Sequence, residues 1–207
     1  MYQAVAPTKS SLLRAKSILA FSLKGFELLD KKRNVLIQEL MSLTGRAKSI
    51  QSRISVLVTE SYQALQFAEV TLGSSAVGEI AVSVPEEKAY KILLRSVMGV
   101  EIPTVSYEKE ELEAYFGFFR TNPALDLAVA RYRELKYLIY ELAEIDTSIY
   151  KLVFEIKKTQ KRANALDKIQ IPKYREIVKF ISDVLEEKER EDFFRLKKVK
   201  AKKRMQA

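Results

Sequence analysis

Counting from Leu12 in alternating steps of three and four gives 17 positions ending at Ala68, of which 14 are apolar. They run Leu12, Ala15, Leu19, Ser22, Phe26, Leu29, Arg33, Leu36, Leu40, Leu43, Ala47, Ile50, Ile54, Leu57, Ser61, Ala64 and Ala68. The chain is 47% hydrophobic, so about eight apolar residues would fall on such a path by composition alone. A 3.5-residue repeat kept this long favours a left-handed coiled coil over a helix lying on a globular core. Pro7 and Thr8 precede the first apolar position, and Thr8 suits an N-cap.

The C-terminal third carries the same signal. From Ala128 to Val184 the count again gives 17 positions, 13 of them apolar. The exceptions are Arg131, Thr159, Gln170 and Lys173, and the last two flank Pro172. Beyond that proline a second stripe, Tyr174, Val178, Ile181 and Leu185, runs beside the first. This predicts a local slip or bend near Pro172, with helix continuing on both sides.

These two segments predict a mainly α protein of one elongated domain. A long antiparallel left-handed coiled coil pairs an N-terminal helix, 8–70, with a C-terminal helix, 124–196. A basic tail, 197–207, follows. At the helical rise the two helices would span roughly 95 and 110 Å. The connection, 73–122, is punctuated by Gly73, Gly78, Pro85, Gly99 and Pro103. It predicts a short β-hairpin, with strands at EIAVSV (79–84) and EIPTVSY (101–107) and a short helix at EEKAYKILLRSVM between them.

Composition narrows the chemistry. The 207 residues include no Cys and no His, which removes thiolate ligands and the side chain best suited to proton transfer near pH 7. LTGRAKS (43–49) lacks the spacing of a phosphate-binding loop. The acidic run at 108–113 has no apolar enclosure to shift its pKa values, and reads as a solvated surface. No catalytic residue, cofactor or metal ligand is predicted. The run SILAFSL (17–23) is too short to span a bilayer, and Lys24 breaks its likeness to a signal peptide, so a cytoplasmic chain is expected.

Charge is unevenly placed within a formal total of +9. Residues 195–207 hold seven basic and no acidic residues, 157–179 hold eight basic and two acidic, and 79–113 hold four basic and eight acidic. Antiparallel pairing would bring both termini to one basic tip, suited to an acidic partner. Phe193 and Phe194 stand beside those charges and exceed what one seam can bury. The tyrosines Tyr132, Tyr137, Tyr140 and Tyr150 are expected to pack along the second helix, and no nucleic-acid module accompanies them.

Several motifs add a resemblance. KKTQKRANALDKIQIPKY (157–174) and EEKEREDFFRLKKVKAKK (186–203) resemble the C-terminal signature of the D subunits of V-type and archaeal-type rotary ATPases. PTKSSLLRAK (7–16) and GFELLDKKRNVLIQEL (25–40) are similar to that family's opening, and VMGVEIPTV (97–105) to its central element. The resemblance implies a central rotor shaft of a proton- or sodium-translocating complex, peripheral on the cytoplasmic face of the membrane. The shaft would turn inside a ring of catalytic A and B subunits, with the F subunit as rotor partner. A linker subunit of the C/d type would join it to the membrane ring, and the catalytic residues would lie in other subunits. The expected head contacts are Lys161, Arg162, Lys168, Pro172, Phe193, Phe194, Arg195, Lys197 and Lys198. The expected middle-region contacts are Gly99, Val100, Ile102 and Pro103. Two alternatives read the residues without that family: a prefoldin-like coiled-coil chaperone, and a coiled coil binding an anionic surface through a basic tip.

Overall fold

A computed structural model describes residues 6–84, 90–107, 116–117 and 121–205. In chain order the elements are α1 (Lys9–Leu72), α2 (Ser74–Ser83), β1 (Tyr90–Val97), β2 (Val100–Tyr107), α3 (Pro123–Ala165), a π-helical turn (Leu166–Gln170) and α4 (Ile171–Met205). They fall into two compact units, one of Met1–Asn34 with Lys157–Ala207 and one of Val35–Ile156.

The caps explain where the long helices begin. Ser11 N–H donates to Thr8 Oγ1 at 3.1 Å, which satisfies an orphan donor at the start of α1. Asn122 does the same for α3, with Leu125 N–H donating to its Oδ1 at 3.1 Å and Pro123 in the first helical position. Gly73 ends α1 with φ +88, a backbone region that disfavours side chains, before α2 starts.

In the first unit, residues 9–34 of α1 run antiparallel to residues 157–165 of α3, the π-turn and α4. Lys9 Nζ lies 3.0 Å from Glu189, and Gly25 packs near Leu166. In the second unit, residues 35–72 run antiparallel to residues 123–156, with Arg46 bridging Glu141 at 3.4 Å and Arg131 bridging Glu60 at 3.6 Å. These ion pairs are exposed and contribute about 0–1 kcal/mol each. Apolar burial along the seam holds the helices together.

All 17 positions of the α1 seam are buried or half-buried, within each unit in turn. Its three polar members are satisfied where they stand. Ser22 and Ser61 donate to the carbonyls of Ile18 and Leu57 at 2.8 and 2.6 Å. Arg33 bridges Asp30 and donates to Gln160 Oε1 at 2.8 Å. A buried polar group with its partner in place costs little, so the repeat tolerates these three.

The core of the second unit joins Leu36, Leu43, Ala47 and Ile50 of α1 to Ile145 and Leu152 of α3 and to Val100 and Ile102 of β2. Leu36 and Leu152 are fully buried, a contribution of about 1.5–3 kcal/mol each. The hairpin is therefore not a free two-stranded ribbon, which would be marginal alone. It is pinned further by Glu144, whose Oε2 accepts the Val105 N–H at 2.7 Å. Tyr107 stacks on Tyr137, with ring centroids 5.0 Å apart, and Tyr90 packs beside Tyr140.

Three expectations need correction. Residues 79–84 close helix α2, and Val77 and Ile80 turn inward, where the sequence suggested a strand. Residues 90–97, read as part of a short helix, form β1, paired antiparallel with β2 from Tyr90↔Tyr107 to Val97↔Val100. The hairpin turn is Met98–Gly99, both at positive φ (51 and 77), as a type I′ turn requires. Finally, the basic tail is helical, since α4 runs to Met205.

Candidate partner-binding surfaces

The π-turn is where the C-terminal seam changes register. Up to Leu166 the predicted positions are buried or half-buried; at Gln170 and Lys173 they are exposed. Burial instead moves to Ile171, Tyr174, Val178, Ile181 and Leu185, each one residue further on. Ile171 N–H donates to the Leu166 carbonyl, five residues back, so the turn holds one residue more than an α-helical turn. Pro172 follows at once. It has no N–H to donate, and in an unbroken α-helix its ring would crowd the carbonyl of Lys168. The widened turn lies where that conflict falls.

Around this turn Lys161, Arg162, Lys168 and Pro172 are all exposed. They share one region of the first unit, with solvent-facing side chains. Beyond Leu185 the side chains are exposed through Arg204, and Glu189 already stands opposite Lys9 at the start of α1. The last turns of α4 thus have no α1 residue across from them among the described residues. Phe193, Phe194, Leu196 and Val199 stand on this stretch at 67%, 63%, 68% and 54% exposure. Arg195 is held to Glu191 and Asp192 at 3.5 and 3.6 Å, while residues 197–204, including Lys197 and Lys198, contain no Asp or Glu. Basic residues in the final turn also suit the negative end of the helix dipole.

A second surface lies on the other unit. Beside the hairpin turn is an open groove of about 380 Å³, lined by Gly99, Val100, Glu101, Tyr150, Lys151 and Phe154 among others. Tyr150 and Phe154 are one turn apart on α3 and 74% and 62% exposed. Of the four predicted middle-region residues, Gly99 and Val100 border this groove and Pro103 is half-buried in β2 opposite Leu94. Val100 and Ile102 are buried at 8% and 3%, so their side chains hold the hairpin to the helices. On the open edge, Ile92, Leu93 and Leu94 of β1 are all exposed. The aromatic pair was visible in the sequence as Tyr150 and Phe154 at i, i+4 off the seam. The β1 edge was hidden by reading it as helix.

Among the tyrosines, Tyr132 packs edge-on against Tyr62 at 6.2 Å. Burial raises its hydroxyl pKa, with the Tyr62 and Glu69 charges adding to the shift. The Tyr107 hydroxyl is raised for the same first reason, helped by Glu141, Tyr137 and Glu144. Gly45, the glycine of LTGRAKS, lies inside α1 and forms no loop. The acidic run at 108–113 lies outside the described residues. Among the described residues no helix is long and apolar enough to cross a membrane.

Paired long helices with exposed basic and aromatic surfaces define a coiled-coil protein. The family model of ATP synthase subunits D matches residues 11–201. Both V-type and A-type ATP synthase subunits D are among the relatives. The V-type one of Thermotoga neapolitana is 42% identical over 96% of this chain and 98% of its own length. The A-type ones of Thermococcus sibiricus and Pyrococcus furiosus are 38% and 36% identical, each over 95% of this chain and 94% of their own. The chain belongs to the family of ATP synthase subunits D of V/A-type ATPases, and so is one part of a larger complex.

Proposed function

We propose that this chain is the central shaft of its complex, transmitting torque between a catalytic head and a membrane ring without itself making or breaking a bond. The observation that carries this reading is the seam of α1. All 17 of its positions are buried or half-buried, with the polar members internally satisfied, as suits an element that must twist under load without coming apart. The head would be built of A and B subunits, and the exposed end of α4 would be seated in it. There Phe193 and Phe194 supply apolar contact and Arg195, Lys197 and Lys198 face acidic surfaces. Lys161, Arg162 and Lys168 would meet acidic loops of the A and B subunits in turn. Exposed pairs of this kind contribute about 0.2–1 kcal/mol each, weak enough to break as the shaft rotates.

The groove beside Gly99, with Tyr150 and Phe154, would seat the F subunit, the second member of the rotor. The C/d-type linker would connect the shaft to a ring that passes protons or sodium ions, with the whole assembly on the cytoplasmic face. The test is charge reversal in the assembled complex. K161E/R162E/K168E should lower ATP turnover while leaving the melting temperature of the isolated chain unchanged; unaltered turnover removes those contacts from the proposal.

A further inference from the structure

The C-terminal segment carries two overlapping apolar stripes, and the π-turn decides which one faces α1. In the structure the buried stripe is Ile171, Tyr174, Val178, Ile181 and Leu185. Were Leu166–Gln170 an ordinary α-helical turn, the seam would continue through Gln170, Lys173, Ile177, Phe180 and Val184 instead. Three of those five are apolar, and Ile177 and Val184 are already half-buried beside the seam. The two arrangements differ most at adjacent residues: Ile181 is 0% exposed and Phe180 is 58% exposed.

We propose that α4 has two registers against α1, interchanged by resorbing the π-turn, and that Pro172 is the latch holding the observed one. Losing the extra residue of the turn rotates α4 by about 100° about its axis, since 3.6 residues make a full turn. That rotation exchanges Ile181 for Phe180 at the seam. It also turns the exposed face that bears Phe193 and Phe194. Two features bias the balance toward the observed register. It buries five apolar residues in place of three, and it spares Pro172 the clash that an unbroken α-helix imposes. A segment with two discrete packings of this kind can be biased by whatever binds its exposed end. The inference concerns the first unit alone and requires none of the partner assignments.

The chain has no cysteine, so single cysteines can report each face by maleimide labelling of the full-length protein. Three positions are needed: F180C on the exposed face, I181C at the seam, and A15C at a buried α1 position of the same unit (5% exposed) to report separation of the helices. I181C should label more slowly than F180C but faster than A15C. Removing the latch with P172A should raise I181C labelling about tenfold or more while leaving A15C unchanged. Deleting Gln170 in the P172A background should then return I181C to the A15C rate, because the observed stripe now continues the seam with no extra residue. That deletion variant should keep its helicity and melting temperature relative to P172A. Equal labelling of I181C and A15C in the P172A chain would overturn the second register. Unfolding of the Gln170 deletion would overturn the one-residue account of the π-turn.

Discussion

Leu166 and Ile171 occupy successive positions on the seam although they stand five positions apart, and the Ile171 amide donates to the Leu166 carbonyl across the gap. A strict heptad count places Gln170 there. The sequence thus has one residue too many for an unbroken seam, and the backbone absorbs it in a single widened turn. Helix continues on both sides because the cost is confined to five residues, Leu166–Gln170.

The seam's one charged member on α1 offers a direct test of polar satisfaction. Arg33 is tied to Asp30 and Gln160. Arg33→Ala should destabilise the chain by about 1 kcal/mol, because Gln160 Oε1 loses its donor beside the seam while its Nε2 keeps Asn164. Replacing both Arg33 and Gln160 with Leu should recover most of that loss. Thermal melts of Arg33→Leu, Gln160→Leu and the double variant form the cycle that checks it.

The core and the exposed end of α4 should respond in opposite ways. Leu36→Ala and Leu152→Ala each open a cavity where the side chain is fully buried, at a cost of about 2–5 kcal/mol. Phe194→Ala should change stability by less than about 0.5 kcal/mol, because that residue is 63% exposed. The same Phe194 substitution should weaken assembly with the catalytic head, as measured by gel filtration of the reconstituted complex.

The hairpin turn has a residue suited to its conformation and one that is not. Gly99 sits at φ +77, so Gly99→Ala should cost about 1–2 kcal/mol. Met98 sits at φ 51, where Asn is favoured in a type I′ turn, so Met98→Asn should stabilise the hairpin. Hydrogen exchange of the β1 and β2 amides is the sensitive readout, since a local change there need not shift the global melt.

Tyr107 and Tyr132 should report folding at alkaline pH. Both hydroxyls have pKa values raised by burial above the ordinary 10.0. A raised folded-state pKa means the native state holds the proton more tightly than the unfolded chain. Their contribution to stability is therefore complete below the unfolded value and is lost as pH climbs through the folded one. Tyrosinate absorbance should lag behind that of the unfolded chain above about pH 10, and Tyr107→Phe should reduce the lag.

Much of the architecture could be read from periodicity. The α1 seam, the Thr8 cap and the slip near Pro172 followed from residue spacing, because a long helix repeats its signal many times. The middle region could not be read the same way. YKILLRSV is eight residues long, too short for a helical period to be told from a strand, and its strand character comes from pairing with β2 across Met98–Gly99. EIAVSV alternates like a strand, yet it continues α2, whose Val77 and Ile80 form an inward helical face begun before the segment. On the surfaces, the basic residues near Pro172 and the phenylalanines of α4 were visible as composition. The Tyr150–Phe154 pair stands off the seam by spacing alone, but only the fold sets it beside the hairpin turn as the lining of a groove.

The shaft reading is tested most directly by watching the chain turn. A single cysteine at the exposed Ser96, in a chain that has no other, can carry a bead while the catalytic head is fixed to a surface. With ATP supplied, a shaft should carry the bead in stepwise, one-directional rotation that stops when ATP is withdrawn. A bead that stays still relative to the head while the same complexes hydrolyse ATP would contradict it.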